Sequence, residues 1–455
     1  MIVDEQRVLS LRLWGRALAR RVHRDSLLRN SMYNMATTVA TSVLGFVYWI
    51  VAARTYSAHD VGLASALIAA LTLTSSLSSQ GIGPTLVQML PRRAAGSAWS
   101  LTLNAGLATG SLASVLAGSI VVAALPLFSH QFAIVGHHAG YAVAFVVGVV
   151  LWTISTLVDQ AFVAERATGY MLVRNMAFAV LKIPLLVLPL LLAHVGAIGI
   201  FSSWVVATAA TVLGGGLLLV PGLRRDYSLA MRGMVGQVRS MLSSLAGHHF
   251  INLGGIGPMY LLPMLVTARL SATDNAYFYT TWMLGSLFFM VSPAVAMSLF
   301  AEGSYGVDGL LRKVRSSALI IGALLGPAML TFFLGGRYIL WPFGPNYVQH
   351  GLLLLTILIV SAVPDAITNI YVSVLRVRRR LRRAAMFNLS MAALTLVLAW
   401  VLLPMVGIAG AGWAWLIAQT VGSTVVGMHV LATHRASGYG VLHPVCVLRG
   451  RAGRG

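Results

Sequence analysis

Only a few ionisable residues stand inside long apolar runs, and these are the residues that could do chemistry. Lys182 lies in MLVRNMAFAVLKIPLLVLPLLL, beside Pro184. A cation at that depth is costly and marks a function by default. Its ammonium could meet an anionic or hydroxyl-bearing group. The other reading is a side chain that snorkels along its stem to the interface, which mid-run depth makes awkward. Asp159 and Arg174 fall on consecutive runs at similar depth. They read either as an ion site beside a cation that faces a ligand, or as a structural ion pair between neighbouring helices. Asp365 follows Pro364, with Asn369 one turn on. Asp365 reads as a proton or sodium site, or as a carboxylate bonded to a neighbouring helix, and Asn369 as a further candidate to line a polar cavity.

A second set sits in HHFINLGGIGPMYLLP. Gly254, Gly255, Gly257 and Pro258 predict a break or hinge there, since such residues interrupt helices at membrane depth where they line a cavity or move. His248, His249 and Asn252 precede the break, and Asn34 stands at the matching start of an earlier run. All four are candidates to line a polar cavity. No Asp, Glu or Cys beside the His pair completes a metal set, so no metal site is expected. No cofactor motif is present. The chain lacks G-x-S-x-G, H-E-x-x-H and the nucleotide loop G-x-x-x-x-G-K-[ST]. The chain is therefore not expected to be an enzyme or to hydrolyse ATP.

The elements that position these residues follow from composition. Hydrophobic residues make up 58% of 455 residues and charged residues 9%. A soluble domain cannot hide so much apolar surface. Runs of about 20 apolar residues, each long enough to span hydrocarbon as a helix, recur throughout. Open sheet edges cannot face lipid, so the fold class is an all-α polytopic membrane protein. Twelve spans are expected: 32–53, 61–80, 99–124, 141–164, 170–193, 198–220, 243–266, 276–299, 316–335, 351–374, 385–403 and 408–430.

Charge orients them. The formal net charge is +21, and the cations are almost all Arg, with only Lys182 and Lys313 as Lys. Arg92 and Arg93, Arg166, Arg224 to Arg239, Arg312 to Arg315, Arg376 to Arg383, and Arg435 to Arg454 all fall in every second connection. The alternate connections hold only Arg54, Arg269 and Arg337, and 125–140 has no Lys or Arg. This alternation puts both termini in the cytoplasm of a plasma membrane. It assigns the basic charge to orientation and anionic lipid, not to nucleic acid. Residues 1–30 interleave Arg with Leu11, Trp14, Leu18 and Val22. They read as a basic amphipathic segment on the membrane surface, or as a disordered tail that sets topology. No small-x-small site follows closely, so a cleaved signal peptide is not expected. The lone Cys446 excludes an internal disulfide.

The chain also echoes itself. Arg54, Ser57, Ala58 and Asp60 match Arg269, Ser271, Ala272 and Asp274, the last three at an offset of 214. Duplication is the simplest cause. The matched Arg residues read as markers of topology and turn capping. The expected organisation is a six-helix half at 31–220, a basic connection at 221–240, a second six-helix half at 241–431 and a basic tail at 432–455. Six spans per half place both halves the same way up, facing a central cavity.

Several stretches resemble one family. Tyr33-Asn34 opens the first span and ARTYSAHDVG closes it. SSQGIG ends the second, Phe343-Gly344-x-x-Tyr347 precedes the tenth, and Ser373-Val374-Leu375-Arg376 leads into the basic connection after it. Over residues 30–430 the order is similar to the polysaccharide-biosynthesis (Wzx-type) flippases of the multidrug/oligosaccharidyl-lipid/polysaccharide exporter superfamily. The resemblance implies a bacterial inner-membrane transporter. Its cargo would be a polyprenyl-diphosphate-linked oligosaccharide, flipped to the outer leaflet for cell-surface polysaccharide, with polysaccharide-assembly enzymes as partners. The rivals are a multidrug exporter of the same superfamily, a peptidoglycan lipid II-type flippase and a membrane glycan polymerase. The last would need a large Arg-bearing outer loop, and the longest outer connection has no Arg.

Overall fold

The computed structural model describes residues 26–438 except 94–95, 138, 193–195, 230–231, 246–248 and 306–308. Most of the expected N-terminal segment, His248 and most of the C-terminal tail lie outside the described residues. Every regular element described is helical. The helices are α1 Ser26–Thr55, α2 Ala58–Ser79, α3 Ile82–Met89, α4 Ser97–Phe128, α5 Ala133–His137, α6 Ala139–Ala164, α7 Thr168–Leu192 and α8 Ala197–Gly214. After them come α9 Val220–Leu223, α10 Met234–Leu245, α11 His249–Arg269, α12 Ala272–Ser286, α13 Phe288–Tyr305 and α14 Leu310–Leu340. The last three are α15 Pro345–Val377, α16 Leu381–Val406 and α17 Ala409–Gly438.

Among the described residues, eleven helical segments are long and apolar enough to cross a membrane. Twelve were expected. The seventh expected span is α11, a 21-residue helix outside those eleven. Its expected interruption does not occur. Residues 249–269 run as one helix with Pro258 and Pro263 inside it. Each proline removes one backbone donor, a loss that neighbouring packing makes up in membrane helices. The eighth span, α12 with α13, carries the irregularity instead, at the turn around Leu287.

Hydroxyls inside these helices bond back to their own turns. Thr37 donates to the Tyr33 carbonyl (2.8 Å), Thr74 to Ala70 (2.7 Å) and Thr267 to Pro263 (2.9 Å). This pairing lets a polar side chain sit in an apolar layer without an orphaned donor.

The duplication is visible in the backbone. Ser57 and Ser271 cap α2 and α12 alike. Each Oγ accepts from an Asp backbone N–H, at 3.1 Å from Asp60 and 3.0 Å from Asp274. Each also donates to that Asp carboxylate, at 2.5 Å and 2.6 Å. Gly96 and Gly309 precede α4 and α14 with φ of 86° and 73°. Arg166 and Arg379 follow α6 and α15, both at φ 55°. A left-handed non-glycine residue is uncommon. A matched pair at the ends of equivalent helices therefore marks a repeat of 213 residues, and α7 and α16 begin at the same offset.

Helices α1 to α8 pack mainly on one another, as do α11 to α17. The two sets meet where α2 lies on α11 and α12. Every residue of α2 from Val61 to Leu71 is buried. Small residues set the distance. A Cβ on Gly62 would overlap the Ala272 carbonyl oxygen and lie 2.9 Å from the Ala276 nitrogen. Asn275 Nδ2 donates to the Gly62 carbonyl (2.8 Å) and to Ser65 Oγ (3.1 Å). Around this seam Trp49 packs on Tyr279 (4.8 Å) and Phe46 on Phe343 (5.1 Å). Arg54 donates to the carbonyls of Pro342 (2.6 Å) and Trp341 (2.9 Å). All these contacts lie toward the helix ends that carry the Ser caps, away from the Arg-rich connections.

The Arg-rich side is tied down within the first set. Arg224 pairs with Glu165 (2.8 Å), which also accepts from Trp99 Nε1 (2.9 Å). Tyr227 donates to Asn104 Oδ1 (2.9 Å), and burial raises its phenol above the usual range. Helix α10, in the connection between the two sets, packs on α4 and α3.

Candidate functional site

The ionisable residues singled out from the sequence fall into three separate clusters. Lys182 projects from α7 into a cage of rings. Its Nζ lies 4.5 Å from the Trp204 centroid, 4.7 Å from Tyr48 and 5.1 Å from Phe178. Trp152 from α6 packs against both Phe178 and Trp204 (5.4 Å each). Tyr48 is held by Ser203 Oγ (2.9 Å) and the Ile200 carbonyl (3.1 Å). Among the described residues no carboxylate pairs with Lys182, which is only 4% exposed. Three ring faces are a physical substitute for water around an ammonium. The side chain does not snorkel to the interface, nor does it stand open to a cavity. It is enclosed by α1, α7 and α8.

Asp159 and Arg174 do meet. Arg174 pairs with Asp159 (2.7 Å) and donates to Ser155 Oγ (2.5 Å) and Asn175 Oδ1 (3.0 Å). Asn175 donates back to Asp159 (3.1 Å). Every strong group here has a partner, as a buried pair requires. This arrangement is that of a structural bridge between α6 and α7. Gly215, in the π-helical turn after α8, leaves room for the Arg174 stem; a Cβ there would sit 3.2 Å from its Cδ.

Asp365 is buried in the second set, on α15. It accepts from Ser292 Oγ (2.6 Å) and Asn369 Nδ2 (3.0 Å). Asn369 also reaches Ser292 (3.1 Å). One turn away, Thr368 donates to Gln419 Oε1 on α17 (2.8 Å). No cation is paired with Asp365 among the described residues. Helices α13, α15 and α17 thus converge a carboxylate, an amide oxygen and hydroxyls, the oxygen donors that a hard cation or a proton takes. Ser292, Thr368 and Gln419 were not singled out in the sequence, because single polar residues in apolar runs carry no spacing signal. The Lys182 cage was missed for a related reason: its rings come from three helices.

The remaining candidates are dispersed. Asn34 is exposed on α1. His249, Asn252, Gly254 and Gly255 lie in the α11 backbone. Gly257 faces open space, and Pro258 is buried. Arg54 and Arg269, expected to mark topology, each sit against an aromatic ring at the Ser-capped ends, Arg54 over Trp341 (5.8 Å) and Arg269 over Trp400 (4.3 Å). Among the described residues no group of three His, Cys, Asp or Glu could hold a metal ion.

No known protein family matches the sequence, and no curated protein does. Solved structures do match the fold. The chain is similar to the lipid II flippase MurJ in an inward closed conformation (TM-score 0.66, 10% identity, 88% of this chain and 87% of that one). It is similar to an inward-facing multidrug resistance MATE family transporter of the MOP superfamily (TM-score 0.61, 14% identity, 90% and 96%). It also resembles an outward-facing MATE family transporter (TM-score 0.53, 14% identity, 88% and 93%). At these identities the likeness is one of fold. The chain is a multi-pass helical membrane protein with the fold of the MOP-superfamily transporters.

Proposed function

We propose that this chain is a flippase that moves a polyprenyl-diphosphate-linked oligosaccharide from the cytoplasmic to the outer leaflet for cell-surface polysaccharide, by alternating access between its two halves. One observation carries the reading. The hydrogen bonds and ring contacts between the halves gather at the ends remote from the Arg-rich connections, so this state is sealed on one side. Cargo then enters from the basic side, where Arg attracts diphosphate and anionic lipid headgroups. The fold, found both in multidrug resistance MATE transporters and in the lipid II flippase MurJ, is compatible with this cargo, and the motif order over residues 30–430 supports it. The basic termini and connections face the cytoplasm of a bacterial inner membrane in this reading. An inside-negative potential favours outward movement of anionic cargo by about 2.3 kcal/mol per charge per 100 mV.

Within this reading Lys182 is the phosphate contact. The rings from α1 and α8 cover it in the sealed state, so cargo must part them from the ammonium, at about 0.5–2 kcal/mol for each ring displaced. Asp365, with Ser292, Asn369, Thr368 and Gln419, is the coupling-ion site. Asn34, His248, His249 and Asn252 are polar contacts for the cargo in this reading, and Gly257 and Pro258 give α11 the freedom to bend. Asp159 and Arg174 serve structure. The fold likeness to the lipid II flippase keeps peptidoglycan precursor as a second cargo. Deletion followed by lipid analysis decides. Accumulated lipid-linked oligosaccharide on the inner leaflet supports the proposal, and accumulated lipid II supports the second reading. Unchanged glycolipids with altered drug tolerance would overturn both in favour of a multidrug exporter.

A further inference from the structure

The second span bends at its Arg-rich end. Helix α2 stops at Ser79, Gln80 takes an extended ψ of 131°, and Gly81 resumes the helix from φ 83°. At the bend lies a cavity of about 210 Å³ between α2, α3 and α6. Its polar lining is Ser79, Gln80, Thr156 and Gln160, with Gly81 and Gly83 exposing backbone. Among the described residues, no charged residue lines it.

Two features make it more than a packing gap. The side-chain amides of Gln80 and Gln160 make no hydrogen bond to any described protein group, unlike the Ser79 and Thr156 hydroxyls, which bond to their own helices (3.3 Å and 2.8 Å). Each amide therefore presents two donors and an acceptor to the cavity. In addition, glycine at residue 83 lets the Gln160 side chain lie close against the bend; a Cβ there would meet Gln160 Cγ at 3.0 Å.

The chemistry defines the ligand. Amides that donate and accept suit hydroxyl and acetamido groups, which do both. The lining holds no cation to neutralise a phosphate or carboxylate, so its amides favour neutral groups. A cavity below the ~300–1,000 Å³ of sites for drug-sized ligands takes one ring, not a whole glycan. Depth agrees. Helix α2 carries the chain about 33 Å from its Ser57 cap to the bend, and Gln160 lies four residues, about 6 Å, from the Arg-rich end of α6. This is the level of lipid headgroups on that side. We propose that the bend of the second span is a subsite for one uncharged saccharide ring of the cargo's headgroup, engaged as cargo loads from the basic side. The proposal rests on the glycan-lipid flippase reading and adds the part of the cargo that is recognised.

The test is saturation-transfer NMR on the purified full-length protein in micelles, with methyl glucoside and methyl N-acetylglucosaminide as probes. Transfer to ring protons is expected in the millimolar range. It should fall at least fivefold in Gln80→Leu with Gln160→Leu, and likewise in Gly83→Val, which fills the space. Should the paired variant lose its cooperative melting transition, Gln160→Ala replaces it, with the same fall expected. No transfer in the parent, or equal transfer in the folded variants, overturns the subsite and leaves a pocket for water only. The lipid analysis of a deletion strain is independent. Accumulated lipid-linked oligosaccharide without sugar transfer would remove the subsite and keep the flippase.

Discussion

Gly62 offers the sharpest test of how the two halves are held together. The perturbation is one methyl group, Gly62→Ala. The added Cβ would overlap the Ala272 carbonyl and stand 2.6 Å from its carbon, all of it backbone that cannot rotate away. Ordinary carbon–carbon contact needs about 3.5–4.0 Å. Helices α2 and α12 must therefore separate by about 1 Å or more. That movement also stretches the bonds from Asn275 to Gly62 (2.8 Å) and Ser65 (3.1 Å) past useful length. Overpacking of this kind costs about 1–3 kcal/mol, which the sealed state bears and an opened state does not. The population open at the Ser-capped ends should rise about 5–150-fold. The assay uses the single native cysteine: in a Cys446→Ser background, Ser65→Cys reports access to the seam. A membrane-impermeant maleimide in right-side-out vesicles should label it faster by that factor in Gly62→Ala. Gly45→Ala is the control, since a Cβ at Gly45 meets nothing within 4 Å. An unchanged rate in Gly62→Ala, or the same rise in Gly45→Ala, refutes the seam.

Two further outcomes follow from the same contacts. Asp159→Leu should lower thermal stability in detergent by about 3–5 kcal/mol, because it leaves the Arg174 guanidinium buried without its carboxylate. Adding Arg174→Met should restore most of it, and a double variant as unstable as the single would show that the pair is not a bridge. Arg54→Gln should raise outer-side labelling of Ser65→Cys by less than Gly62→Ala does. Its two bonds to the 341–342 carbonyls are exposed, and water replaces them; a larger effect would make Arg54 the main latch.

The fold was legible in the sequence where physics acts over 20 residues or at charged ends. The apolar runs, the Arg alternation and the Ser-Ala-x-Asp echo each correspond to a helix, a connection or a cap. What misled was local propensity. Gly254, Gly255, Gly257 and Pro258 read as a break, yet α11 is continuous, because a bilayer penalises an open backbone more than it penalises a proline inside a helix. The site was less legible. Lys182 and Asp365 stood out as charges, but their partners did not. Tyr48, Trp204, Ser292 and Gln419 come from other helices and follow no period. The 213-residue repeat was also only half visible, because its other markers, Gly96 with Gly309 and Arg166 with Arg379, are backbone conformations.

That repeat sharpens what the two unpaired charges mean. At its offset Lys182 corresponds to Thr395, and Asp365 to Trp152, part of the ring cluster around Lys182. The copies keep the same helix ends, while at these positions the middles of matching helices have diverged in polarity. Among the described residues, one half encloses an ammonium with no carboxylate paired to it, the other a carboxylate with no cation paired to it. Each is costly to hold in a low-dielectric interior, and neither can relieve the other from within its own half. Divergence at those positions is what separate tasks would produce: an anionic cargo group at Lys182, a cation or proton at Asp365. The two should therefore fail differently. In proteoliposomes with the potential clamped, Lys182→Met should abolish movement of a fluorescent diphosphate-linked lipid while the protein stays folded. Asp365→Asn should keep residual movement but lose its dependence on the cation or proton gradient. Normal movement in Lys182→Met would reduce the ring cage to packing, and an unaltered gradient dependence in Asp365→Asn would remove the coupling site from the second half.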